Sequence, residues 1–300
     1  MLISRFETIA DMRNWRGSLS QTEVVGFVPT LGALHEGHAT LLRKMRSRCD
    51  RLVLSIFVNP TQFGPTEDLV KYPRPLKQDL EIAHLCGVDA VFTPTPAQIY
   101  PAGFSTFVEE SSLTLPLCGP FRPGHFRGVT TVVMKLIQVV KPHVAYFGIK
   151  DAQQFFVLQK MAEDLNLDVS VEAVATVREN DGLALSSRNA YLSAEQRSQA
   201  TFIHQILLEI REKLAVDFLN YKQSLDLGRV ALEGAGFRVQ YLELLKAPDL
   251  TSLVSNESPL PDHPYLLAVA AYLGSTRLID NLILNERSLF LKHGIRIHAV

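Results

Sequence analysis

Two histidines three residues apart close the segment Pro29-Thr30-Leu31-Gly32-Ala33-Leu34-His35-Glu36-Gly37-His38. Gly32 and Gly37 allow the backbone to approach a ligand closely. An apolar run precedes the segment and a helical pattern follows it. The N-terminus of a helix placed after such a loop favours a bound phosphate. Imidazoles at this spacing can donate to phosphate oxygens as negative charge builds up. The zinc-protease pattern H-E-x-x-H needs histidines four apart, and here they are three apart. On its own the segment also fits a surface loop with two incidental histidines.

Four further segments carry chemistry of the same kind. Phe57-Val58-Asn59-Pro60-Thr61-Gln62-Phe63-Gly64 ends a strand in a turn, with Tyr72-Pro73-Arg74 just downstream. Asn59 and Gln62 are neutral amides with donors and acceptors that can fix a substrate hydroxyl or carboxylate. A lysine there would be open to acylation by an activated ester, and an amide is not. Arg122-Pro123-Gly124-His125-Phe126-Arg127-Gly128-Val129 is a basic, glycine-rich loop that could meet a triphosphate or a carboxylate. Tyr146-Phe147-Gly148-Ile149-Lys150-Asp151-Ala152-Gln153-Gln154 ends a strand at Gly148 and opens a helix near Asp151. Lys150 can neutralise phosphate charge; Asp151 can cap the helix or hold a ribose or metal, and it shares a helix face with Gln154. Val177-Arg178-Glu179-Asn180-Asp181-Gly182-Leu183-Ala184-Leu185-Ser186-Ser187-Arg188-Asn189 puts two hydroxyls beside an arginine, whose forked donors match phosphate oxygens. Each of these also fits a plain turn or hinge when taken alone.

The elements that must position these loops are legible from hydrophobic spacing. Apolar runs at 24–28, 52–58, 90–92, 144–148 and 169–177 read as strands. Helical spacing appears over 38–49, over 75–86 with Pro75 at its start, over 129–140 despite its β-branched residues, and from Asp151 to about residue 166. Strands alternating with helices predict an α/β fold with a parallel, doubly wound sheet, whose ligands bind at the C-terminal ends of the strands. Near residues 178–189 the texture changes. Ser193 and Gln196 have capping-box spacing and predict one long helix to about residue 215, with a second over 218–233 and strands at 238–245, 265–273 and 276–280. The expected organisation is a Rossmann-like domain over 1–178 and a smaller C-terminal α+β domain over 179–300.

Composition narrows the function classes. Thirty Lys+Arg against 31 Asp+Glu give a formal charge of −1, which argues against nucleic acid as a partner. Three scattered cysteines, Cys49, Cys86 and Cys118, make neither a disulfide framework nor a zinc knuckle and suit a reducing cytosol. The first residues carry charges at Arg5, Glu7 and Asp11, so no secretory leader is read there. The most apolar stretch, 129–140, contains Lys135 and Gln138 and is too short to span a bilayer. A cytoplasmic protein with no membrane partner is expected.

The first segment resembles the HxGH signature of the nucleotidyltransferase superfamily, which transfers nucleotidyl groups by positioning and charge stabilisation. Taken in order across about residues 20–190, the five segments together resemble the pantothenate synthetase family, whose pattern reads PTMGALHEGH, FVNPTQF, RPGHFRGV, FGEKDxQQ and LAMSSRN. Thr276-Arg277-Leu278-Ile279-Asp280-Asn281 also matches the end of that family's smaller domain. The resemblance implies ATP-dependent joining of pantoate and β-alanine through a pantoyl-adenylate, with Mg²⁺, in a homodimer whose C-terminal domain closes as a lid. It implies ATP contacts at Leu31, Gly32, Ala33, Leu34, His35, Glu36, Gly37, His38, Gly148, Ile149, Lys150, Asp151, Val177, Leu185, Ser186, Ser187 and Arg188. His38, His35, Lys150 and Arg188 would be catalytic, with His38 at the position of the family's proton donor. Gln62, Gln154 and Asn59 would contact substrate, and no residue is assigned as a metal ligand. Departures from the pattern are Leu31 and Leu185 for methionine, Ile149 for glutamate, and His143 where the family usually has aspartate. Two other readings stay open: a different HxGH nucleotidyltransferase that keeps the adenylyl group in its product, and an inactive ATP-binding homologue.

Overall fold

The computed structural model describes residues 3–253 and 263–300. Its elements run, in chain order, β1 (Ser4–Phe6), α1 (Ile9–Ser18), β2 (Val25–Thr30), α2 (Glu36–Arg46), β3 (Arg51–Ile56), α3 (Leu76–Leu85), β4 (Ala90–Phe92), the single turn α4 (Pro96–Ile99), α5 (His125–Val140), β5 (Val144–Gly148), α6 (Ala152–Asp164) and β6 (Ser170–Val174). Then come α7 (Ala194–Gln199), α8 (Phe202–Val216), α9 (Tyr221–Gly234), β7 (Arg238–Lys246), β8 (Tyr265–Leu273), β9 (Thr276–Leu284), α10 (Glu286–His293) and β10 (Ile297–His298). Two compact units result: Met1–Gly148 with Val157–Val174 and His298–Val300, and Ile149–Phe156 with Ala175–Ile297. The single cut expected at 178/179 thus becomes an interleaved division, because the turn after β5 packs with the later elements.

In the first unit, β1 to β6 pair in parallel in the order β1-β4-β3-β2-β5-β6. The chain leaves β2 in one direction through β3 and β4, then restarts on the other side with β5 and β6. The switch point therefore lies between β2 and β5, the place where such sheets bind ligands. Strands β2 and β3 are continuous apolar runs because both faces are covered: Val25, Phe27, Val28, Leu52, Val53 and Leu54 are fully buried. Each such side chain contributes about 1.5–3 kcal/mol on burial.

α5 stays helical through Val129, Thr130, Thr131, Val132 and Val133 because its buried face decides: all five are buried, and Thr130 Oγ1 donates back to the Phe126 carbonyl at 2.9 Å. His143 sits at the start of β5, the far end of that strand from the Gly148 loop. Its Nδ1 accepts the Val25 N–H at 2.8 Å, so it fastens strand starts together. The chain's last residues also join this unit: His298 Nε2 lies 2.5 Å from Glu172 Oε2, which takes Arg48 at 2.8 Å.

In the second unit, β7-β8-β9 form an antiparallel sheet, with a bulge between Val239 and Tyr241. Ile203, Ile206, Leu207 and Ile210 of α8 pack with Leu242, Leu244, Leu267 and Val269 in one core. Ser193 and Gln196 form the expected capping box, but the long helix predicted to residue 215 is two, α7 and α8. Thr201 Oγ1 donates to the Ser198 carbonyl at 2.8 Å at the break, taking a carbonyl that an unbroken helix would use. Among the described residues, no helix is long and apolar enough to cross a membrane.

Candidate active site

The loop between β2 and α2 is held in a conformation that few residues accept. Gly32 and Ala33 both have positive φ, +84° and +50°. A Cβ on Gly32 would lie 2.9 Å from Ile56 Cγ2 and 3.0 Å from Asp79 Oδ2, so position 32 excludes a side chain on both grounds. Asp79, buried on α3, accepts the Ala33 N–H at 3.0 Å and the Leu34 N–H at 2.7 Å. Burial pushes its carboxyl above the usual value, and the two amide donors partly offset that. Sequence reasoning missed this residue. The available signal was an acid on the apolar stripe of α3, four residues before the fully buried Ala83.

That loop delivers the two histidines to the first turn of α2, which begins at Glu36 rather than at His38 as predicted. His35 is the N-cap: its Nδ1 accepts the Gly37 N–H at 3.1 Å, while His38 Nδ1 accepts the His35 N–H at 3.2 Å. The rings lie 4.1 Å apart between centroids. With both Nδ1 atoms accepting, the proton of each neutral ring is on Nε2, so both imidazoles are set as Nε2–H donors beside a helix N-terminus. Glu36 instead turns outward and pairs with Arg43 at 2.5 Å, which lowers its pKa.

The turn after β3, next to β2 in the sheet, is built around Asn59. This side chain is fully buried, and every polar position is in use. Its Nδ2 donates to Gln62 Oε1 at 3.0 Å and to the Gly128 carbonyl at 3.1 Å. Its Oδ1 accepts from Tyr100 Oη at 2.8 Å and Thr61 Oγ1 at 2.9 Å. The Asn59 carboxamide, expected to meet substrate, is thus engaged by protein partners at both its oxygen and its nitrogen. It fixes the Gln62 carboxamide by its oxygen, which turns the Nε2 donors of Gln62 away from Asn59.

The basic loop before α5 serves the same turn. His125 Nδ1 is 2.8 Å from the Gln62 carbonyl oxygen, and Arg122 donates to that oxygen at 3.3 Å. Arg122 is held in turn by Glu67 through a forked pair at 2.6 and 2.7 Å. Burial pushes the Glu67 carboxyl up, and the Arg122 guanidinium more than reverses it, so its pKa is lowered. A Cβ on Gly128 would sit 2.4 Å from the Thr61 carbonyl oxygen, so α5 can approach the turn only with glycine there. Arg122 is thus a brace for Gln62.

The second unit holds the remaining predicted residues except Gly148, which ends β5 in the first. Ile149, Lys150 and Asp151 form a 3₁₀ turn directly after Gly148, so the helix expected to open at Asp151 starts at Ala152. Ile149 is buried, which suits its apolar side chain where the family pattern has a charge; Lys150 is half-buried and Asp151 exposed. Gln154 is half-buried on the first turn of α6. Farther along, Leu185 N–H donates to the Val177 carbonyl at 3.0 Å, closing a short hairpin, and Ser186 Oγ accepts the Arg188 N–H at 3.3 Å as the cap of the turn Ser187–Tyr191. The motifs divide between the two units, with the basic loop 122–129 in the first and the motif 146–154 cut after Gly148. Residues 31–38 and 59–62 stand at neighbouring strand ends of the first unit, and residues 149–154, 177 and 185–188 stand in the second.

Comparison with known proteins agrees with this geometry. The family model described as pantoate-beta-alanine ligase matches residues 4–283. A pantothenate synthetase of Pelotomaculum thermopropionicum is 47% identical over 283 residues, covering 93% of this chain and 98% of that protein. The crystal structure of the pantothenate synthetase of Thermus thermophilus superposes with a TM-score of 0.84 at 42% identity, covering 93% of this chain and 99% of that one. A pantoate-beta-alanine ligase of Francisella tularensis, crystallised with beta-gamma ATP and beta-alanine, superposes with a TM-score of 0.75 at 33% identity, covering 95% of this chain and 98% of that one. With a family match spanning both units, and a histidine pair, glutamine turn and lysine turn in place, this chain belongs to the pantoate–β-alanine ligase family.

Proposed function

We propose that this ligase joins pantoate to β-alanine in two steps at the residues described above. In the first, a carboxylate oxygen of pantoate attacks the α-phosphorus of ATP and pyrophosphate leaves. In the second, the amine of β-alanine attacks the acyl carbon of pantoyl-adenylate, forming the amide, and AMP leaves. The observation that carries this reading is the reciprocal capping of His35 and His38, which sets two Nε2–H donors at the N-terminus of α2. Such an arrangement can stabilise charge on phosphate oxygens by positioned donors.

The roles follow from the chemistry of each group. His38 and His35 donate to the phosphates, Lys150 and Arg188 neutralise charge on the leaving pyrophosphate, and Ser186 and Ser187 complete the phosphate clamp. The backbone of residues 31–34, 148–149, 177 and 185 borders the nucleotide. Gln62, held by Asn59, presents its carboxamide nitrogen to pantoate, and Gln154 adds a second contact. Mg²⁺ would be held mainly by the ATP phosphates and waters, as this ion usually is beside nucleotides. The Francisella relative's complex with beta-gamma ATP and beta-alanine supports the same substrates here. A homodimer in the cytoplasm completes the proposal.

The test is pyrophosphate and AMP release with ATP, Mg²⁺ and pantoate, with and without β-alanine. Sustained AMP release that needs both acids, with pantothenate as product, is the expected result. An adenylylated product without free AMP would overturn it.

A further inference from the structure

Asp280 and Asn281 are neighbours on β9, buried to 5% and 6% exposure, and the functional reading gives neither a task. Successive residues of a strand point to opposite faces of the sheet. Asn281 Nδ2 donates to the carbonyl oxygens of Ile149 at 3.0 Å and Lys150 at 2.8 Å, so it grips the backbone of the turn that carries Lys150. Asp280, on the other face, takes the Arg178 guanidinium in a forked pair at 2.6 and 2.9 Å. Arg178 also donates to the Gly182 carbonyl at 3.1 Å, across the hairpin in which it pairs with Ala184. The segment 185–188 leaves that hairpin directly. His204 Nδ1 faces Asp280 at 3.6 Å with no hydrogen bond to it. Burial, the first cause, and Arg178 keep that imidazole below its usual pKa, so Arg178 is the cation that balances Asp280.

We propose that Asp280 and Asn281 are positioning residues for adenylate formation. One dipeptide, by the alternation of a single strand, locks two separate backbone segments, the Lys150 turn and the hairpin leading to Ser186, Ser187 and Arg188, into one frame within the second unit. Neither residue touches substrate. The proposal rests on the assignment of Lys150 and residues 186–188 to ATP.

The test measures pyrophosphate release with ATP, Mg²⁺ and pantoate for Asn281→Ala, Lys150→Ala and the double variant. Asn281→Ala is expected to lower kcat about tenfold, as a misplaced catalytic group does, with the KM for pantoate within about twofold of wild type. In the Lys150→Ala background the same change is expected to cost less than about twofold, because its effect runs through that lysine. An equal loss in both backgrounds overturns the positioning role and leaves a purely structural one. Asp280→Asn provides an independent arm if Asn281→Ala does not fold, which a melting curve reveals. It should raise the KM for ATP about tenfold, spare that for pantoate, and add no further loss when combined with Arg178→Gln. Unchanged ATP affinity in Asp280→Asn overturns that half. A wild-type rate in Lys150→Ala would instead overturn the underlying assignment of Lys150 to ATP.

Discussion

His38 Nδ1 accepts the backbone N–H of His35 at 3.2 Å, and this one bond links the helix cap to the proposed chemistry. It closes one end of the capping box and, in doing so, commits the proton of the neutral His38 ring to Nε2. Replacing His38 by alanine removes both effects. Pyrophosphate release should fall about 10²–10³-fold, the worth of a preorganised donor at a developing oxyanion. The cap loss should cost about 1 kcal/mol of stability. Single-turnover kinetics and a denaturant titration separate the two, and near-normal pyrophosphate release would remove His38 from the mechanism.

Asp79 is predicted to matter because it holds the backbone of the β2–α2 loop. An asparagine there keeps the shape but offers one carbonyl to two backbone donors, leaving the Ala33 or Leu34 N–H facing an amide. An unsatisfied buried group costs about 1–3 kcal/mol. Asp79→Asn should therefore lower stability by that amount and slow adenylate formation, as read from denaturation midpoints and pyrophosphate release. A variant with wild-type stability would show that the loop does not depend on the carboxylate.

At Gly128 the prediction concerns substrate affinity. A methyl group 2.4 Å from the Thr61 carbonyl cannot be accommodated without moving the turn that holds Gln62. Gly128→Ala should raise the KM for pantoate about tenfold or more, a shift of about 1.4 kcal/mol, while the KM for ATP changes little. Steady-state kinetics with each substrate varied in turn decides it.

The Glu67–Arg122 brace gives a pH dependence with a definite sign. The folded-state pKa of Glu67 lies below its ordinary 4.5. Its contribution to stability is therefore fully present above that value and is lost as the pH falls through the depressed folded value. The stability gap between wild type and Glu67→Gln should be constant near neutrality and close in acid. A gap independent of pH would mean that the charge of Glu67 is not what holds Arg122.

The candidate site residues could be read from the sequence because they are chemically distinctive residues packed into short, contiguous motifs. Histidines at 35 and 38, the glutamine of NPTQ and the lysine beside Gly148 announce themselves by type and spacing. The parallel sheet was legible too, from apolar runs alternating with helical periodicity. Local hydrogen bonding hid other features. The Thr201 hydroxyl marks the break between α7 and α8 where periodicity alone runs on, and two-residue β10 is too short to carry a period.

What the sequence determined by itself is therefore the set of groups and the order of strands and helices that carry them. Tertiary structure alone decided which of those groups hold others in place. Asn59 and Arg122 look like ligand contacts in the sequence, and the fold spends both on Gln62. Asp79 and Asn281 look incidental, yet they fix the backbones of the His35–His38 loop and the Lys150 turn. The reason is physical: a side chain's partners across 45 or 132 residues depend on which strands and helices pack together, and no local pattern encodes that.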